Sequence, residues 1–143
     1  MTKVSRSALV SYSAQQMFDL INDIESYPLF MAGCIDAKVL STSEDVVEAE
    51  LTLGKSGFQQ RMTTRNFLSK PEKMVMRLVE GPFSHFEGLW QFTALDDNAC
   101  RVSLDLEFRF ANPLLGLTVG KVLEDVANRQ VDCLCKRAEH VYA

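Results

Sequence analysis

The chain has 143 residues, 47% hydrophobic and 24% charged, with a formal net charge of −4. This composition excludes disorder, and the length fits one domain spanning residues 1–143 that buries roughly two-thirds of the surface of its unfolded chain. Acidic balance with dispersed Lys and Arg argues against generic binding to DNA or RNA phosphates, and no apolar run approaches the ~18 residues of a membrane span.

Met1-Thr2-Lys3-Val4-Ser5-Arg6 leads into a strand pattern over residues 3–11 rather than the apolar core of a signal peptide. The expected location is therefore cytoplasmic, without membrane insertion. Ser13 followed by Gln16 is a capping-box signature, and Met17, Leu20, Ile21 and Ile24 give the i, i+3, i+4, i+7 face of a short amphipathic helix. Pro28 interrupts that pattern, and a second short helical turn is predicted over Tyr27 to Met31, ending at Gly33. Strands follow at 35–42, 46–54, 58–69 and 73–80, separated by the turn clusters 41–45, Gly54-Lys55-Ser56-Gly57 and Ser69-Lys70-Pro71-Glu72. Gly81-Pro82 turns the chain into a strand over 83–95, and Asp96-Asp97-Asn98 makes the last hairpin. Connections this short forbid parallel crossovers, so the sheet is antiparallel and meandering.

Residues 101–110 alternate without a break. Val102, Leu104, Leu106, Phe108 and Phe110 point one way; Arg101, Ser103, Asp105, Glu107 and Arg109 point the other. Asn112 is placed to cap a helix and Pro113 suits its first position, and a helical pattern of roughly 30 residues runs from there to the C-terminus. Leu115, Val119, Val122, Leu123, Val126, Leu134 and Val141 share one face of that helix, with Gln130 in its middle. Gly116, Gly120 and Ala127 line one flank, where they permit close approach. The fold class expected is α+β: a curved antiparallel sheet of about six to seven strands wrapped around a long C-terminal helix, with two short helices after the first strand. A helix laid across a strongly bent sheet leaves space beneath it.

The strand parity assigns walls to that space. Phe86, Gly88, Trp90, Phe92 and Ala94 share one face of the 83–95 strand, where Gly88 leaves a gap between two rings. With Leu51, Met62, Met76, Leu78, Leu104, Leu106, Phe108, Val126 and Gln130, the rings Phe86, Trp90 and Phe92 form a candidate apolar ligand cavity, competing with plain core packing. Leu53 and Met74 extend the same lining. Four cysteines (Cys34, Cys100, Cys133 and Cys135) form no Cys-x-x-Cys pair; Cys133 and Cys135 lie about 200° apart around a helix and cannot grip one ion. They read as free buried thiols, and no metal site is expected. His85 and Glu87 could form an acid–base pair, but their parity turns them away from Trp90 towards solvent. No nucleophile motif or phosphate loop is present, so no catalytic residue is assigned and the chain reads as a binder rather than an enzyme.

Six motifs occur in order: Asp23-x-x-x-Tyr27-Pro28-x-Phe30, Gly33-Cys34, Thr64-Arg65-Asn66, Gly81-Pro82-Phe83, Gly88-x-Trp90-x-Phe92 and Phe108-x-Phe110-x-Asn112. Together they resemble the bacterial RatA ribosome association toxin family, the prokaryotic branch of the coenzyme Q-binding group within the START-like (polyketide cyclase/dehydrase) superfamily. The resemblance spans the chain and implies a helix-grip fold with a deep apolar cavity, with Tyr27, Pro28, Phe30, Arg65, Gly81, Pro82, Phe83 and Gly88 as motif positions. It also implies that the protein binds ubiquinone or another isoprenoid lipid in support of respiration and requires no cofactor. A second implication is that it blocks association of the large ribosomal subunit with the small one, with a small antitoxin protein as partner. Arg61 and Arg65, with Lys70 and Lys73 near the adjoining hairpin, are the candidate ribosome contacts, set against neutralisation by Glu48 and Glu50. A cyclase- or dehydrase-type enzyme acting on an apolar substrate is the alternative.

Overall fold

The structure, a computed structural model, describes residues 1–55 and 57–142, with Phe58 described as main chain only; Ser56 of the second turn cluster and Ala143 lie outside the described residues. Strands β1 (Thr2–Val10), β2 (Cys34–Thr42), β3 (Val46–Lys55), β4 (Phe58–Ser69), β5 (Lys73–Glu80), β6 (Phe83–Asp96) and β7 (Ala99–Phe110) form one antiparallel sheet. Its order is β1-β7-β6-β5-β4-β3-β2. Strands β2 to β7 meander, while β1 pairs with β7. The first two strands are therefore the two edges, and the segment between them must cross the sheet.

That crossing carries α1 (Ala14–Asn22) and a 3-10 helix (Ile24–Leu29). Ser13 caps α1 as its sequence requires: its hydroxyl accepts from Gln16 N at 3.1 Å, and its own N–H donates to Gln16 Oε1 at 2.9 Å. Met17, Phe18, Ile21 and Ile24 are almost wholly removed from water against the sheet. Register shifts in β2, between Thr63 and Thr64 and in β6 add the bends by which a sheet curls around its contents.

The C-terminal helical pattern is not one helix. It forms α2 (Pro113–Asn128) and α3 (Gln130–Tyr142), broken at Arg129. Asn112 Oδ1 caps α2 by accepting from Leu114 N at 2.9 Å, as predicted. At the break, the Val126 carbonyl accepts from Arg129 N at 3.1 Å and from the side-chain Nε2 of Gln130 at 2.7 Å. A side chain has entered the backbone ladder, a recognised cause of a helix kink. The break resets the helical phase, so α3 buries Val131, Leu134 and Ala138, while Val141, expected on the buried face, is exposed.

α2 lies over β1 and β7, and α3 packs on α1, β1 and β7. Tyr142 anchors the end of α3 by donating to the Gln16 carbonyl at 2.8 Å. Gly33 has φ +76°, and a Cβ there would meet Val126 Cγ1 at 2.8 Å. Both the left-handed backbone and the fit against α2 demand glycine. Gly33→Ala should destabilise the fold by about 1–3 kcal/mol, read as a lower urea midpoint in equilibrium unfolding.

Candidate functional site: an apolar cavity beneath the C-terminal helices

Between the concave face of the sheet and α2 lies a cavity of about 100 Å³. Five strands contribute by their parity: Leu51 and Leu53 from β3, Met62 from β4, Met76 from β5, Phe86 and Trp90 from β6, and Leu104, Leu106 and Phe108 from β7. Leu123, Val126 and Ala127 come from α2 and Gln130 from α3, while Tyr27, Met31 and Ala32 of the crossing segment and Cys34 at the start of β2 close the remaining side. Of the sequence-predicted lining, Leu51, Met62, Met76, Phe86, Trp90, Leu104, Leu106, Phe108, Val126 and Gln130 meet here.

Three predicted residues do not. Phe92 is wholly buried among other side chains, edge-on to Phe18 at 6.1 Å and stacked on Trp90 at 6.3 Å. Helix α1 covers its end of the concave face, which strand parity cannot reveal. Leu78 packs into a satellite cluster with Met62 and Phe83, at the last pair before the register shift between β5 and β4. Met74 is likewise core. The gap over Gly88 is filled from within: a Cβ there would meet Met76 Cε at 2.5 Å and Leu106 Cδ1 at 3.1 Å.

The polar groups on the wall are few and mostly engaged. Tyr27 donates its hydroxyl to the Ile21 carbonyl, and burial pushes the phenol far above its ordinary range, with Cys34 and Asp23 adding to the shift. Gln130 Nε2 donates to the Ala32 carbonyl at 3.0 Å as well as to Val126, so both amide hydrogens are engaged. The Cys34 thiol faces the Asp36 carbonyl at 3.4 Å, and burial raises it to about 11 despite that contact. The four thiols are free as expected, although Cys133 and Cys135 are only partly buried.

The remaining motif positions brace the cavity. Phe30 meets the Tyr27 ring edge-on at 5.8 Å and lies beneath the Arg137 guanidinium at 5.3 Å, and Pro28 sits in the 3-10 helix. The Pro82 carbonyl accepts from Ala111 N at 2.9 Å, tying the Gly81-Pro82 turn to the start of α2. Phe83 packs with Phe86, Phe108 and Phe110 beneath it.

The outer face of the sheet is different in kind. Register places Glu48, Arg65, Arg77, Glu87, Glu107 and Lys3 in one row across six strands. Arg65 Nη2 lies 3.5 Å from Glu48 Oε2 and Arg77 Nη2 3.8 Å from Glu87 Oε1. Arg61 borders a depression shared with Glu50 and Glu80, while Lys70 and Lys73 stand exposed at the opposite end of β4. The predicted basic residues therefore form no single patch. Glu48 and Glu87 flank the adjacent pair Arg65 and Arg77, and eight residues of extended strand separate Arg61 from Lys70. His85 also faces outward, its Nε2 3.0 Å from Glu107 Oε1, with Glu87 nearby.

Sequence reasoning missed Tyr27, Met31, Ala32 and Cys34 as lining, because only the tertiary crossing brings them there. Leu123 and Ala127 were legible: with Val126 and Gln130 they continue one helical face.

A family model described as polyketide cyclase/dehydrase and lipid transport matches residues 10–135. The chain is 44% identical to a ribosome association toxin RatA of Pseudomonas aeruginosa over 99% of its own length and 98% of the relative's. It is 25% identical to a mitochondrial coenzyme Q-binding protein COQ10 homolog B of Xenopus laevis, covering 96% of this chain and 58% of that one. The Zhui aromatase/cyclase of a Streptomyces species shares the fold at a TM-score of 0.79 and 19% identity, covering 99% of this chain and 96% of that chain. The chain belongs to the RatA branch of the polyketide cyclase/dehydrase and lipid transport family.

Two outcomes are expected from this geometry. Phe92→Ala should cost about 3–5 kcal/mol in urea unfolding, as a core truncation does. Because Cys34 is raised when folded, the unfolded chain loses the thiol proton first as pH climbs. The stability this thiol contributes is full below its ordinary 9.0 and lost as pH rises through about 11. Urea midpoints taken from about pH 8 to about pH 11 should fall less steeply in Cys34→Ala.

Proposed function

We propose that this protein binds an apolar ligand in the cavity beneath α2 without transforming it, and that its ligand is an isoprenoid quinone or a similar lipid. The observation that carries this reading is the wall itself: hydrocarbon, aromatic and methionine side chains from every layer of the fold, with a few mostly engaged polar groups. The coenzyme Q-binding name of one relative supports the quinone class. Enzymes share this fold, but none of the described lining residues carries a carboxylate or imidazole for acid–base work.

The volume of about 100 Å³ is far below the roughly 300–1,000 Å³ of drug-sized ligand sites. Binding therefore enlarges the cavity, and Met31, Met62 and Met76 on its wall are side chains suited to repacking. A second reading, action on the large ribosomal subunit, is supported by the near-complete alignment with a ribosome association toxin. The mixed charges of the outer face imply shape-specific contact there rather than a basic footprint.

Protein purified without detergent from a quinone-containing host should yield about one apolar lipid per chain on organic extraction, identified by mass spectrometry. A clean extract would overturn the carrier reading. Overexpression should move sucrose-gradient profiles from joined ribosomes towards free subunits, and an unchanged profile would remove the ribosomal reading.

A further inference from the structure

Resting on the cavity reading above, we propose that the indole N–H of Trp90 is the polar anchor of the site. The ligand would then be an apolar molecule that carries a hydrogen-bond-accepting oxygen, of ketone, quinone or ether type, seated against that nitrogen.

The case is made by elimination among the wall's donors. The Tyr27 hydroxyl is engaged by Ile21, both amide hydrogens of Gln130 are engaged by Ala32 and Val126, and the Cys34 thiol, a weak donor, faces Asp36. The identity of Gln130 Nε2 is secure because both its partners are carbonyl oxygens, which only the nitrogen can serve. Trp90 is the chain's only tryptophan, 3% exposed and part of the cavity wall. None of the described residues accepts a hydrogen bond from its indole nitrogen. Nor is that nitrogen among the polar atoms sealed off without a partner, which are Asn22 Oδ1 and Arg137 Nε. It is therefore reachable, and the cavity is the space that Trp90 borders.

A buried donor without a partner is costly, and a ligand oxygen that reaches it removes the cost. An oxygen bound elsewhere on this wall would be desolvated against hydrocarbon, and Gln130 Oε1, an acceptor, cannot serve it. One donor in a hydrocarbon cavity selects for one acceptor in a hydrocarbon body. Trp90 is held for this role from both sides of its strand: it lies in register with Met74 of β5 and Leu104 of β7, and Phe92 stacks on its ring.

The test uses two compounds of one carbon skeleton, 1-tetralone and tetralin, titrated by calorimetry into the wild-type protein and Trp90→Phe. Phenylalanine keeps an aromatic ring and removes the donor. The substitution should weaken 1-tetralone about tenfold and change tetralin by less than about twofold, the ligand–mutant cycle isolating the hydrogen bond. Equal changes for both compounds, or an unchanged affinity for the ketone, would overturn the anchor and leave cavity binding standing. Failure of both compounds to bind the wild-type chain would overturn the cavity reading and the anchor with it. Should Trp90→Phe not fold, ¹⁵N-labelled wild-type protein has a single indole cross-peak. Its proton should move downfield with 1-tetralone and not with tetralin, and a peak unmoved by the ketone would refute the proposal.

Discussion

The side-chain amide of Gln130, with one hydrogen on the Val126 carbonyl and the other on the Ala32 carbonyl, is the interaction on which the cavity depends. The first bond breaks the C-terminal helix at Arg129; the second ties the break to the loop beside Gly33. An unbroken helix would follow one straight line across a curved sheet. With the break, α3 lies down on α1 while α2 continues over β1 and β7, and the space between α2 and the sheet is left partly empty. Gly33 belongs to the same arrangement. It presses against Val126 where no other residue fits, and its carbonyl accepts from Gly54 N at 2.8 Å, locking the loop to the end of β3.

The two faces of the sheet divide the work between them. Inside, apolar residues surround a space with few unengaged polar groups, an environment in which a single hydrogen bond discriminates strongly because its absence leaves a desolvated oxygen. Outside, charges of both signs share one row, in which Arg65 stands opposite Arg77 and Glu87 opposite Glu107 as well as opposite their counter-charges, and each exposed ion pair contributes little to stability. Outward-facing charges keep a long, otherwise β-branched and aromatic sheet from pairing with other chains. The outer row is better explained as solubility and register than as a binding surface for phosphate.

Much of this architecture was legible in the chain. Period-two alternation in β7, the Ser13–Gln16 box and the Asn112-Pro113 start are local signals, and the structure realises each of them. The break at Arg129 was not legible, since the apolar pattern continues through it and only the tertiary partner Ala32 makes Gln130 turn back on the ladder. The cavity wall was read from strand parity, which reports the face but not what covers it. Phe92 therefore read as lining although α1 buries it, and Leu78 although it packs against the Met62 and Phe83 cluster instead. Tyr27 carries no periodic signal for the site, because it arrives by the crossing between the two edge strands, and Cys34 is the first residue of β2, where that crossing ends.

The halves of the C-terminal helix are held unequally, and this bears on how a cavity of about 100 Å³ would admit a larger molecule. α3 buries Val131, Leu134 and Ala138 almost completely and is fastened to α1 through Tyr142. The first turns of α2 bury little: Leu114 and Leu117 are 69% and 84% exposed, and Gly116 and Gly120 rest over the Phe110 ring without side chains of their own. Each glycine in a helix interior costs about 1 kcal/mol of helix propensity relative to alanine. Displacing α3 would open a packed core, whereas displacing the start of α2 exposes little beyond Phe110 and the edge of the cavity. Enlargement of the cavity is therefore cheapest at α2, and the hydrogen bonds of Gln130, at the junction, leave α3 in place while α2 yields.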